Sequence, residues 1–261
     1  MWTRPAAILV DNASPFMVIM LHYVAISEGE RTMSMDALRA RHYFLFWMAS
    51  LCAAAGCGRA ATVEERVAQY GDLAMKRLAP LMAAQALPYP LTKMALIGLK
   101  DEKVLELRLA GKDGVYRMVK RYPILAASGT SGPKLREGDL QVPEGFYTVE
   151  SLNPNSRYHL SLRVGYPNEE DRRHAKEEGR ANLGGDIMIH GDAVSVGCIA
   201  IGDPAVEEVF VLAHAVGLKN IQVIISPIDF RTRPVSDVPA DKPKWLKPLY
   251  ERIHAALEKF P

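Results

Sequence analysis

Cysteine is scarce in this chain: three in 261 residues, at positions 52, 57 and 198. Three cysteines cannot build a disulfide scaffold, and no paired C-x-x-C motif offers a structural zinc site. Net charge is almost absent too, since 32 Lys and Arg against 30 Asp and Glu leave +2. With no Lys/Arg-rich block, the chain lacks the electrostatic footprint of a nucleic-acid binder. No internal repeat appears, which excludes a solenoid. No cofactor-binding motif stands out. What remains is an ordinary folded composition, 49% hydrophobic and 24% charged, on a chain long enough to bury a sizeable core.

The N-terminal third reads as export machinery. Arg39, Arg41 and His42 precede an uncharged run from Tyr43 to Ala55, and small residues lead to Cys57. Basic, then apolar, then small is the order of a secretion signal, and the run falls short of the roughly 20 residues of a membrane span. Ala54-Ala55-Gly56-Cys57 resembles a bacterial lipobox, with Ala54 where leucine is usual, which makes Cys57 the expected lipidation site. The alternative is a buried helix with two inert cysteines. A signal belongs at the start of a chain, so translation is expected to begin at Met33 or Met35, leaving residues 1–32 as upstream sequence. A competing anchor is the short apolar stretch from Ala13 to Ile26, interrupted by Pro15 and His22. The expected organisation is therefore an extra segment 1–32, a signal 33–57, a helical spacer and linker 58–90, a catalytic domain 91–228 and a tail 229–261.

Val63, Val67, Tyr70, Ala74 and Leu78 recur at helical spacing, so the spacer is a helix, followed by breaks at Pro80, Pro88 and Pro90. Beyond Ala95 the pattern turns extended. Val104–Leu109 alternates apolar and charged residues, and Gly111-Lys112-Asp113-Gly114 turns it into Val115–Lys120, a β-hairpin signature. Further strands are expected at 145–151, 158–164, 186–190 and 221–226. Asp203 as N-cap, Pro204, and Gly217 after the last turn frame one helix. The fold is expected to be mainly β, with packed helices and the helical N-terminal spacer. The highly charged stretch 168–180 reads as a solvated helix or loop, with a flap over a site as the alternative. The tail holds a Pro-rich linker and a short amphipathic helix with no function beyond packing.

The chemistry converges on Gly185–Gly202. An apolar strand, Ile187-Met188-Ile189, delivers His190, and a loop with Gly191 and Gly197 presents Cys198. A thiol attacks as the thiolate, so it needs a proton acceptor within reach, and a histidine across a glycine-bearing loop can supply one. Gly197 lets backbone amides of Ser195, Val196, Gly197 and Cys198 approach a developing oxyanion. A metal set of His190, Asp192 and His159 is the competing reading, and it lacks a recognisable ligand spacing.

His190-Gly191 followed by Ser195-Val196-Gly197-Cys198 resembles the catalytic signature of the YkuD-type L,D-transpeptidases, bacterial cell-wall enzymes with a cysteine nucleophile. Gly132-Pro133-Lys134, Glu137-Gly138-Asp139 and Pro143-Glu144-Gly145-Phe146-Tyr147 match the block upstream of that site. Asn153-Pro154-Asn155-Ser156, Tyr166-Pro167-Asn168 and Gly185–Gly191 resemble a YafK-like branch. The resemblance implies a sandwich- or barrel-like fold and acyl transfer on peptidoglycan stem peptides in cell-wall biogenesis or remodelling. It makes Cys198 the nucleophile and His190 the general base and acid. It also brings Lys134, Glu144, Tyr158, Tyr166 and Gly191 forward as substrate-binding candidates.

Two departures stand out. Many members carry a second histidine where Val196 stands and an arginine where Ala200 stands. Both losses leave open a hydrolytic amidase that releases a peptidoglycan-linked lipoprotein or peptide, and a catalytically silent cell-wall binding module is a third reading. The resemblance implies the periplasm or cell envelope as location, with membrane attachment through Cys57.

Overall fold

The computed structural model describes residues 59–87, 90–237 and 243–260. The expected signal and lipidation site, with Cys52, Cys57 and the alternative starts, lie outside the described residues. Residues from Ala60 onward form one compact unit.

Its frame is an eight-stranded mixed sheet in the order β3-β2-β1-β8-β4-β5-β6-β7. The strands are β1 (Lys93–Leu99), β2 (Val104–Ala110), β3 (Arg117–Pro123), β4 (Gly145–Ser156), β5 (His159–Val164), β6 (Met188–His190), β7 (Ile199–Ala200) and β8 (Ile221–Ser226). β1 runs parallel to β8, and β6 parallel to β7; the remaining pairs are antiparallel. The segment leaving β3 bridges β7 at Ala126–Ala200, so it links the two edges of the sheet. Four helices pack on this frame: α1 (Val63–Ala84), α2 (Glu169–Glu177), α3 (Asp203–Val216) and α4 (Leu246–Leu257).

Side chains alternate across a strand, and β1 shows what that alternation accomplishes. Met94 and Leu96 join the core that also takes Leu78 and Met82 of α1 and Val206, Val209 and Phe210 of α3. Ala95, Ile97 and Leu99 join a second core on the opposite face, under Leu249, Tyr250, Ile253 and Leu257 of α4. The sheet is thus covered on both faces, and the C-terminal tail supplies one of the covers.

The expected spacer helix is part of this body. Thr62 and Glu65 close a capping box at its start, and Pro80 lies inside the helix. Arg77 ties it to α3, donating to Glu208 at 2.6 Å and Glu207 at 2.9 Å. The hairpin is present, but its second strand begins two residues later than expected, at Arg117. Strand β1 had no alternation to announce it, because both its faces are buried. The charged stretch 168–180 folds as helix α2, capped reciprocally by Asn168 and Asp171.

Candidate active site

Strand β6 ends at His190, and the loop 191–198 returns the chain to β7 alongside it, with Ile189 paired to Ile199 and His190 to Ala200. This parallel pairing is what brings Cys198 next to β6. The Met188 amide donates to the Cys198 Sγ at 3.4 Å, and the thiol faces the Asp186 carbonyl at 3.5 Å. A neutral thiol is both acceptor and donor, and these two contacts use both capacities.

His190 is 1% exposed. Its Nδ1 lies 2.6 Å from the Gly191 carbonyl. A carbonyl can only accept, so Nδ1 carries the proton and Nε2 holds the free lone pair. Nε2 is buried and has no hydrogen-bond partner among the described residues, which is the state of a base ready to take a proton. Tyr158 packs on the imidazole, with ring centroids 4.7 Å apart. Burial pushes the His190 pKa down, and the Gly191 and Asp192 contacts only partly oppose it. Burial likewise pushes the Cys198 thiol up, against the Met188 amide and the Lys134 charge, which favour the thiolate. Both groups are therefore neutral at rest, and the thiol hydrogen bonds to the backbone rather than to His190.

The loop 191–198 is held by side-chain oxygens. Ser195 Oγ accepts from Cys198 N at 3.0 Å and donates to Cys198 O at 2.7 Å. Ser128 Oγ accepts from Gly197 N at 2.5 Å and donates to Leu140 O at 2.7 Å. The amides of Gly197 and Cys198, expected as oxyanion donors, are thus occupied by hydroxyls in the resting state. Val196 is 74% exposed at the loop tip. Asp203, expected to cap its own helix, instead accepts from Asp192 N at 2.7 Å. The N-cap of α3 is Gly202, without a side-chain cap bond.

Gly191 has a steric task. A Cβ there would stand 2.5 Å from Asp203 Oδ1 and 2.9 Å from the Tyr158 carbonyl, so the position has no room for a side chain. Gly191→Ala is expected to cost about 1–3 kcal/mol through overpacking and to loosen the Asp192–Asp203 contact. Chemical denaturation with Cys198 alkylation as a second readout checks this; unchanged stability would contradict it.

Of the other expected substrate contacts, Tyr158 lies against His190. Glu144 and Tyr166 are internal in this structure. Glu144 is 2% exposed and takes Lys100 Nζ at 2.9 Å, Gly132 N at 2.8 Å and the Tyr250 hydroxyl of α4. A buried carboxylate must be satisfied in this way, so Glu144 joins the tail to the loop before β4. Tyr166 is 3% exposed, and its hydroxyl bonds the Lys134 and Leu183 carbonyls. Lys134 is buried too, with Nζ 2.6 Å from Asp139. His159, named in the metal alternative, sits 3.1 Å from Glu207 and edge-on to Tyr70 of α1. Sequence reasoning did not reach Ser128, whose partner Gly197 lies 69 positions along the chain, nor the contacts of Met188, Asp186 and Asp203, which depend on how the loop folds back.

A family model described as YkuD, L,D-transpeptidase catalytic domain, matches residues 96–225. Two curated relatives, both named "Putative L,D-transpeptidase YafK", come from Escherichia coli strain K12 and from E. coli O157:H7. Each is 39% identical over 133 residues, covering 49% of this chain and 51% of the relative. The chain thus spans about half the length of the curated relatives it matches. Among solved structures, the helical cell shape determining protein Pgp2 of Campylobacter jejuni aligns with a TM-score of 0.43 at 28% identity, over 52% of this chain and 48% of its own. Bd1075 of Bdellovibrio bacteriovorus aligns with a TM-score of 0.39 at 19% identity, over 66% and 57% of the two chains.

Proposed function

Residues 96–225 belong to the YkuD family of L,D-transpeptidase catalytic domains, and on that premise we propose that this protein performs cysteine-dependent acyl transfer on peptidoglycan stem peptides. The observation that carries the reading is the pairing of β6 with β7, which sets Cys198 beside a strand ending in a histidine with a free, buried Nε2. Substrate entry brings the thiol proton to His190 Nε2, and the thiolate attacks the carbonyl between an L-centre and a D-residue. The oxyanion takes over the Gly197 and Cys198 amide hydrogens that the Ser128 and Ser195 hydroxyls hold at rest. As the C–N bond breaks, His190 returns its proton to the departing amine, leaving a thioester on Cys198. An acceptor amine then attacks the thioester, His190 takes its proton, and the thiol is restored. Water in the acceptor's place gives hydrolysis, the amidase outcome, through the same intermediate.

Intact-mass spectrometry of the full chain with a stem tetrapeptide, with and without an added amine, tests this. The expected result is an acyl adduct on Cys198 with release of the terminal D-residue, and no adduct on Cys198→Ala. The amine-dependent product separates transfer from hydrolysis. Undiminished turnover by Cys198→Ala overturns the mechanism, and a wild-type chain that never forms the adduct favours the silent binding module. Under the same reading the domain works in the cell envelope, held there by lipid on Cys57. Metabolic labelling with a fatty acid, lost in Cys57→Ala, is the expected result.

A further inference from the structure

Beside the loop that carries Cys198 lies a cavity of about 540 Å³, lined by Pro133, Leu135, Arg136, Gln141, Ala181 and Pro243. That volume suits a short peptide segment. One of its walls adjoins the loop before Cys198, since the Gln141 carbonyl is 4.0 Å from where a Cβ on Gly197 would stand. The Ser128 hydroxyl ties the same stretch to Gly197 through Leu140 O.

Around this cavity three cations, Lys134, Arg136 and Arg180, balance three anions, Glu137, Asp139 and Glu178, but their pairing leaves one guanidinium unpartnered. Asp139 is consumed by Lys134 Nζ at 2.6 Å and by the amides of Leu135, Arg136 and Gln141. Glu137 is drawn to Asn182 at 2.6 Å. Arg180 is paired with Glu178 and donates to the Leu135 carbonyl. Arg136 is different: it is exposed, and its guanidinium has no ion pair or hydrogen bond among the described residues. The Gln141 side-chain NH2 is likewise without a partner there, since its Oε1 accepts from Thr130 N. A planar guanidinium with free N–H pairs matches a carboxylate bidentately. The apolar Pro133, Leu135, Ala181 and Pro243 suit the body of a peptide, which a free phosphate would leave unused.

We infer that this cavity binds a free carboxylate of the peptide substrate through Arg136, making Arg136 the residue that selects carboxylate-bearing over amidated peptides. The inference rests on reading Cys198 as a peptide acyltransferase, and its test is separable from that reading. The full chain carrying Cys198→Ala is titrated calorimetrically with a stem tetrapeptide bearing free carboxylates and with its fully amidated analogue. The carboxylate form is expected to bind roughly tenfold tighter, the worth of one charge-assisted bidentate contact. Adding Arg136→Gln is expected to reduce that preference to about twofold, while Arg136→Lys keeps part of it. Thermal stability should not change, because the guanidinium holds no partner. Equal binding of both peptides, no binding at all, a preference that survives Arg136→Gln, or displacement by inorganic phosphate at similar concentration would each overturn the subsite. A thioester still formed by Arg136→Gln at saturating peptide leaves the acyl-transfer reading standing when the subsite fails. Arg136-dependent binding without any wild-type thioester supports the subsite and overturns the acyl-transfer reading instead.

Discussion

Alkylation of Cys198 by iodoacetamide should accelerate about tenfold per pH unit from about pH 6.5 to about pH 8.5, with no plateau at acid pH. The sign follows from the two environments. Burial raises the thiol's pKa, and the amide of Met188 and the charge of Lys134 do not reverse it. Burial lowers that of His190. A raised thiol and a depressed imidazole both favour the neutral pair, so the reactive thiolate is a minor species whose fraction grows with each unit of pH. A preformed thiolate–imidazolium pair would behave oppositely, with a rate nearly flat across neutral pH. The hydrogen bonds agree, since the thiol sits between Met188 N and Asp186 O while His190 Nε2 is unpartnered among the described residues. Peptide-level mass spectrometry isolates Cys198 from Cys52 and Cys57. As a companion result, His190→Gln should alter this resting rate by only about two- to threefold while abolishing acyl transfer. A pH-independent rate, or its collapse in His190→Gln, would show an ion pair at rest.

Glu106→Ala should destabilise the domain by about 3–5 kcal/mol, the cost of leaving buried cations without their counter-charge. Glu106 is fully buried in β2 and accepts from Arg108 at 3.0 Å, Arg121 at 2.6 Å and Arg231 at 2.8 Å. The arginines would not suffer equally. Arg121 is 55% exposed and can rehydrate, whereas the Arg108 and Arg231 side chains are 2% and 15% exposed. Arg231 also donates to the Phe260 carbonyl at 2.8 Å, and Arg108 lies over the Phe260 ring. Loss of Glu106 therefore loosens the end of the tail as well as the strand. Denaturant unfolding measures the loss, and combining Glu106→Ala with Arg108→Met should recover part of it by removing the stranded charge. A change under about 1 kcal/mol would mean that water already reaches these groups.

The same carboxylate gives a pH dependence. Burial alone would raise the Glu106 pKa, but hydrogen bonds from Arg231 and Arg121 outweigh it and hold the group below the usual carboxylate range. A depressed folded-state value contributes stability that is fully present above the unfolded value, roughly pH 4.3, and lost as pH falls through the folded one. Acidification below about pH 4 should therefore release the tail early, visible as faster amide exchange in α4 than in β1.

Much of the site was legible because its chemistry is local in sequence. His190, Gly191, Gly197 and Cys198 lie within one strand–loop–strand, so spacing alone made the thiol and the imidazole a candidate pair. The hairpin and helix α3 were legible for a similar reason, since alternation, turn residues and helical spacing are short-range signals. Asp203 shows where such signals stop. An aspartate before Pro204 reads as a helix cap, yet the loop that carries Cys198 arrives within 2.7 Å and claims the carboxylate.

The pattern Val104–Leu109 marks the boundary between the two kinds of information. Its alternation determined a strand with one apolar face, and Leu105, Leu107 and Leu109 do enter the core. Nothing in those residues says what meets the other face, where Glu106 and Arg108 sit buried beneath a segment more than a hundred positions away. By itself, then, the sequence picked out Cys198 and His190 as the candidate pair, and determined the period of each strong element and the low net charge. Tertiary structure alone decided that Glu144 and Tyr166 are internal, that Ser128 holds the loop carrying Cys198, and that Arg136 is left without a partner among the described residues. The reason is physical: a residue's identity sets what it can bond, but burial and long-range pairing decide which of those bonds it makes.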